Sequence, residues 1–217
     1  MEIRLHFDYK HPTLPSVAFS SDWMHEDVSL KMIQDLEKTG RMKELKIEDD
    51  MGQTWTLKEY KKLLSKEEDQ IKDVQLYFDG SFNPVSQMAG AGIVLTYTEG
   101  NKRYRIRENL LLTHLNTNNE AEYAALYRGL QLCGELGVTH QKIRPYGDSL
   151  VVINQLNGEW PCYEKELNNW IDKIEGITKR MSIQLELTAI RRNDNKEADK
   201  LASQALEGSV IKSKSEI

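Results

Sequence analysis

Four carboxylates stand where their neighbours can aim them at one point. In Tyr77-Phe78-Asp79-Gly80-Ser81-Phe82 a short apolar run ends in an acid and then breaks on glycine. The stretch KIRPYGDS, residues 142–149, also reads as a strand that ends in an acid, Asp148. Glu122 and Asp199 each fall in the first turn or two of a segment with helical spacing, 117–137 and 196–208. If the two strands are adjacent and parallel, Asp79 and Asp148 leave the sheet at the same edge. Helix starts near that edge bring Glu122 and Asp199 toward them. Acids gathered without Lys or Arg repel, so each pKa rises or a cation neutralises the group. Hard oxygen donors of this kind suit Mg²⁺ or Mn²⁺. Two such ions about 4 Å apart activate a water and stabilise a leaving oxygen in phosphodiester cleavage. Each acid alone has a plainer reading. An Asp at a strand end is commonly a solvated turn residue, and Glu122 suits the positive end of a helix dipole. The combination favours the metal.

The elements that must position these acids are legible in the pattern. VQLYFDG (74–80) reads as a strand, and MAGAGIVLTYTEGNKRYRIRENLLL (88–112) as two more around Glu99-Gly100-Asn101. TNNEAEYAALYRGLQLCGELG (117–137) is a long helix with a Thr117–Glu120 capping box and a stop at Gly137. A fourth strand (142–149), two helices (149–158 and 164–181), a fifth strand (SIQLELTAI, 182–190) and a last helix (196–208) follow, with a tail expected to fray. Strands joined first by tight turns and then through helices imply an α/β unit, a mixed five-stranded sheet flanked by helices. The charged segment 64–73 ends a helix and serves as a linker, which puts a domain boundary near residue 71. Residues 1–70 read as a small α+β domain. It has a strand at 3–9, a helix at 26–40 stopped by Gly40, a hairpin at 42–57 turning at Asp50-Met51-Gly52, and a short helix capped by Thr56. The stripe of the 26–40 helix is either Val28, Met32 and Leu36, or one built on Leu30 and Ile33.

Composition excludes several classes. The 217-residue chain carries a net charge of −5, so no global basic field advertises nucleic-acid binding. Residues 1–70 hold 11 Lys/Arg against 15 Asp/Glu, so the acidity is concentrated there. Contact with a polyanion then needs local basic groups or bound cations. Two distant cysteines, Cys133 and Cys162, argue against a disulfide framework or a zinc site. No secretory leader pattern and no apolar run long enough to span a bilayer occur, so the chain is expected in the cytoplasm, away from membranes.

Four motifs stand in order: FDGSF (78–82), TNNEAEYAAL (117–126), GDSLVVINQLNG (147–158) and NKEADKLAS (195–203). Together they resemble the type 1 ribonuclease H family over about 71–208, in its histidine-lacking bacterial branch with an N-terminal extension. The resemblance implies a ribonuclease H-like domain over 71–217. It implies a catalytic and metal-binding quartet of Asp79, Glu122, Asp148 and Asp199, with Mg²⁺ or Mn²⁺ as two ions per site. Glu120 and Asp194 are the near misses. The implied substrate contacts are Gly80, Ser81, Thr117, Asn118, Asn119 and Arg192, and the implied partner is an RNA–DNA hybrid. Read as a loop, MAGAG (88–92) lets backbone approach the RNA strand; a tight strand-entry turn explains its glycines equally well.

Two departures matter. No histidine precedes the last acid in AIRRNDNKEAD, where Arg192 is the closest substitute, and no basic insertion follows the GDS helix. The expected activity is a divalent-metal-dependent endonuclease that cuts the RNA strand of RNA–DNA hybrids. The alternative is a ribonuclease H-like module that binds nucleic acid or protein and cuts poorly. A metal-dependent phosphatase is disfavoured because Ser81 stands where a second acid would, and a related exonuclease because its acids come at different spacings. The region 1–70 is read as a packing or protein-partner domain. Nucleic-acid docking is a second use, through Lys38, Arg41 and Lys43 near Trp23 and Trp55.

Overall fold

The computed structural model describes residues 1–68 and 70–217. The chain divides into two compact units, Met1–Asp69 and Gln70–Ile217. The segment 64–73, expected as a linker, is taken up by the end of one helix and the start of a strand; its Asp69 lies outside the described residues.

The first unit comprises β1 (Glu2–Tyr9), β2 (Val17–Ser20), β3 (Met24–His25), α1 (Glu26–Thr39), β4 (Met42–Asp49), β5 (Thr54–Thr56) and α2 (Leu57–Glu68). Its antiparallel sheet runs β2-β1-β4-β5, with β3 also on β1. Strand alternation turns Ile3, Leu5 and Ile47 inward, where they meet Ile33 and Tyr60 in a fully buried cluster. The second of the two stripes is the one α1 buries. Ile33 is inside, whereas Val28 and Met32 are exposed. Gly40 closes α1 in the left-handed conformation, φ 65°. Thr56 and Glu59 cap α2 reciprocally, at 2.9 Å and 3.3 Å. The aromatic and basic residues pair differently from the expectation. Arg4 lies over Trp23, the Trp55 indole donates to Asp49, and Arg41 donates to the Tyr9 hydroxyl.

The second unit comprises β6 (Ile71–Asn83), β7 (Met88–Glu99), β8 (Lys102–Leu112), α3 (Asn118–Glu135), β9 (Lys142–Gly147), α4 (Leu150–Leu156), α5 (Lys165–Met181), β10 (Gln184–Leu185), β11 (Thr188–Ala189), α6 (Lys196–Leu206) and β12 (Lys212–Glu216). The sheet order is β10-β9-β6-β7-β8-β12, with β11 also on β9. β6–β7–β8 are antiparallel, and β9 runs parallel to β6. Leu76, Phe78, Ile93 and Leu95 face a buried core shared with Leu126 and Leu130 of α3 and Leu167 and Ile174 of α5. The opposite face lies under α6, whose Ala198 and Ala202 sit on Gly92 and Gly90.

Three expectations are corrected. The first strand does not end at Asp79; it stays paired with β7 through Asn83. The stretch 182–190 forms two short strands, not one. The interruption falls opposite Arg144-Pro145, where proline has no N–H to give the ladder. The tail does not fray. The Asn109 side chain donates to Ser209 O (2.8 Å) and Leu201 O (3.1 Å) and accepts from Ile211 N (2.7 Å), which aims β12 along β8.

The stretch 88–92 is neither a loop nor an entry turn. Its glycines lie in β7 and receive α6. A Cβ on Gly90 or Gly92 would fall on the Ala202 or Ala198 carbonyl, and one on Gly80 on the backbone of Ala121 and Glu122. Adding a methyl where backbone meets backbone forces a helix to shift. Gly92→Ala should therefore cost about 1–3 kcal/mol in denaturant melts. Gly176→Ala, in α5 with open space around it, should gain about 0.5–1 kcal/mol from helix propensity. Equal responses at the two sites would refute the close-contact account.

Candidate active site

The acids meet where two strands part. The β6–β9 ladder runs only from Gln75↔Arg144 to Tyr77↔Tyr146. Asp79 lies two residues beyond it while still paired with Gly92 on its other side. Asp148 directly follows Gly147, the last residue of β9. Alternation puts Phe78 and Gly80 on the α3 face and Asp79 on the α6 face. Glu122 arrives from α3, whose backbone rests on Gly80.

The start of α3 separates the two glutamates. The Thr117 hydroxyl accepts from Glu120 N (3.2 Å), and the Glu120 carboxylate accepts from Asn116 N (2.6 Å). Glu120 is thus spent on capping, and Glu122 is free to face the opening. Asp194 stands in a 3-10 turn, Arg192–Asp194, outside the cluster.

Asp79, Glu122 and Asp148 each bring a carboxylate oxygen within 4.8 Å of the others. Asp79 is 6% exposed and Glu122 4%. Burial first, then the charges of Asp148 and Asp199, push Asp79 up to about 8. Burial first, then Asp79 and Asp148, push Glu122 up to about 9, against the pull of the Gly80 amide and Arg192. The Glu122 Oε2 atom is buried with no hydrogen-bond partner among the described residues. A buried, partnerless acceptor beside two further carboxylates is the donor set that a hard divalent cation satisfies. The residues present fit such an ion.

The fourth acid is placed differently. Asp199 lines the same cleft, of about 320 Å³, but its Oδ1 accepts from Arg192 Nη2 at 2.8 Å. Three of the expected four acids therefore converge, and the fourth lines the same cleft paired with an exposed arginine. Gly80, Ser81, Asn118 and Arg192 also line the cleft, together with Ser149 and Ser203, which the sequence did not single out. Asn118 Oδ1 accepts from Phe82 N (3.1 Å). Thr117 acts as the helix cap, and Thr117 and Asn119 are not among the residues that line the cleft.

Asn195 was not anticipated. It precedes α6, where asparagine reads as a cap, yet it makes no side-chain cap bond. It is 1% exposed, and its Nδ2 donates to Phe78 O (2.9 Å) and to Asp148 Oδ1 (3.0 Å).

Known proteins share the fold that carries these residues. The model of the reverse transcriptase-like family matches residues 77–205. An uncharacterized protein, YpeP, of Bacillus subtilis is 42% identical over 214 residues, 98% of this chain and 94% of its own length. Ribonuclease HI of Halobacterium salinarum is 30% identical over 134 residues, 62% of this chain and 64% of the relative. The crystal structure of ribonuclease H1 from that archaeon aligns with TM-score 0.54 and 28% identity, over 63% of this chain and 98% of that one. LC11-RNase H1 in complex with RNA/DNA hybrid aligns with TM-score 0.55 and 26% identity, again over 63% and 98%. The acids, the strand order and these likenesses converge on one conclusion: the chain belongs to the reverse transcriptase-like family, and its second unit is a type 1 ribonuclease H-like domain.

Proposed function

We propose that this protein is a divalent-metal-dependent endonuclease that hydrolyses the RNA strand of RNA–DNA hybrids. The observation that carries the reading is the convergence of Asp79, Glu122 and Asp148, with an unpartnered buried oxygen on Glu122. Solved relatives support it, one of them bound to an RNA/DNA hybrid. Asp79, Glu122 and Asp148 would hold one Mg²⁺ or Mn²⁺, and Asp79 with Asp199 a second. When bound, the ions supply positive charge to an attacking water and to the leaving 3′ oxygen. The rest falls to the chain. Asn118 has its oxygen engaged by Phe82 N, so its amide nitrogen is left to donate to a 2′-OH or a base edge. Gly80 and Ser81 line the floor beside it. Arg192, largely exposed, exchanges Asp199 for a substrate phosphate. The two unpaired cysteines suit a reducing compartment, and we place the protein in the cytoplasm. Among the described residues no helix is long and apolar enough to cross a membrane. For Met1–Asp69 we favour a protein-partner role, supported by the exposed Leu14, Val17 and Phe19.

A second reading is a module that binds hybrid but turns it over poorly. The Arg192–Asp199 ion pair favours it, because that pair must open before Asp199 can hold a cation. Labelled hybrid incubated with purified protein and Mg²⁺ or Mn²⁺ decides between the two. The first reading expects cleavage of the RNA strand alone, lowered at least about 10³-fold in Asp79→Asn, or ~4 kcal/mol. Tight binding with no cleavage above that variant selects the second.

The raised acids also set a pH dependence. Asp79, at about 8, and Glu122, at about 9, keep protons in the folded chain that the unfolded chain releases above the ordinary carboxylate value, near 4. Their contribution to stability is full below that value and is lost as pH rises through the folded values. In chelator, the melting temperature should fall between pH 6 and pH 9, and Asp79→Asn should flatten the fall. Mg²⁺ at ~100 times its Kd should restore about 2.7 kcal/mol at the alkaline end. A flat profile in the unmutated chain would contradict the burial of these acids and their mutual repulsion.

A further inference from the structure

We infer that Asn195 is a positioning residue that holds Asp148 and Asp199 in the relative placement a divalent cation needs. The inference rests on the metal-binding reading of the cleft. An asparagine before a helix ordinarily turns its oxygen onto the first-turn amides. Asn195 forgoes that cap, and its amide is turned into the protein instead. The two protons of Nδ2 are divided. One goes to the Phe78 carbonyl, next to Asp79 and just past the end of the β6–β9 ladder; the other goes to Asp148 Oδ1. The backbone carbonyl of the same residue accepts from Asp199 N at 3.1 Å. One residue therefore ties β6 beside Asp79, the Asp148 carboxylate and the first turn of α6.

The bond to Asp148 is the informative one. Asp148 lies beyond its strand, where no ladder fixes it, and a donor on Oδ1 stops the carboxylate from turning. Holding a ligating carboxylate by an outer donor is how metal sites set ligand direction, and loss of such a donor typically lowers metal affinity about 10–100-fold. A side chain placed only to satisfy the Phe78 carbonyl would need one proton, and Asn195 is arranged to spend both. Its Oδ1 is buried and unpartnered among the described residues, so the orientation is not chosen for the oxygen.

The test is Mn²⁺ titration by calorimetry on the full chain, alongside thermal melts in chelator, for Asn195→Ala, Asn195→Asp and Asn109→Ala. Asn109 is a buried amide that bonds the Leu201 and Ser209 carbonyls away from the acids, so it reports general loosening around α6. The expected result is a lowered melting temperature in all three, with Mn²⁺ affinity down at least about tenfold in both Asn195 variants and unchanged in Asn109→Ala. Asn195→Asp keeps the shape and removes the donors, so it stands in if the alanine variant does not fold. Unchanged Mn²⁺ affinity in the Asn195 variants, or an equal loss in Asn109→Ala, would overturn the positioning role. If the unmutated chain takes up no Mn²⁺, the metal reading fails first and takes this inference with it.

Discussion

The second unit depends on backbone touching backbone. Gly80 on one face of the sheet and Gly90 and Gly92 on the other leave no room for even a methyl group. Two helices can then lie against β6 and β7 at a distance that ordinary side chains forbid. α3 rests on Gly80 with Ala121 and Glu122; α6 rests on Gly90 and Gly92 with Ala198 and Ala202. Three of those contacts fall on an acid or beside one in the chain: Gly80 next to Asp79, Glu122 itself, and Ala198 next to Asp199. Close packing and the assembly of the cleft are one event.

That event gathers like charge. Taking Asp79 and Glu122 out of water beside Asp148 is unfavourable unless they are protonated or matched by a cation. The apolar layer under the sheet, from Leu76 and Phe78 to Leu126 and Ile174, is the favourable side of the balance. Arg192 compensates only in part. It is exposed, and its bond is to Asp199 rather than to the three clustered acids. The fold therefore holds a strained electrostatic arrangement, as functional sites commonly do.

Much of this was legible in the residues. Tight turns at Glu99-Gly100-Asn101 and Asp50-Met51-Gly52, the Thr117 cap and the Gly40 stop are local chemistry, and local chemistry shows in sequence. The acids' shared edge followed only if their strands were adjacent and parallel, a condition that β6 and β9 meet. What escaped depends on distant partners. Asp79 read as a strand end because Gly80 looked like a turn, whereas that glycine makes room for the backbone of Ala121 and Glu122, in a helix far along the chain. Gly90 and Gly92 read as a loop for the same reason. Asn195 drew no reading at all, since nothing nearby announces that Phe78 and Asp148 await its amide. The tail, with no apolar pattern of its own, gave no sign that Asn109 would seize it.

The seized tail bears on how copies of this protein behave toward one another. β8 would otherwise offer a bare row of backbone donors and acceptors, an invitation for strands of a neighbouring molecule. What faces outward instead is Lys212-Ser213-Lys214-Ser215-Glu216, exposed throughout and poor in strand-forming side chains. Charge and serine make a reluctant template, so the border of the sheet discourages the stacking that leads to fibres and precipitates.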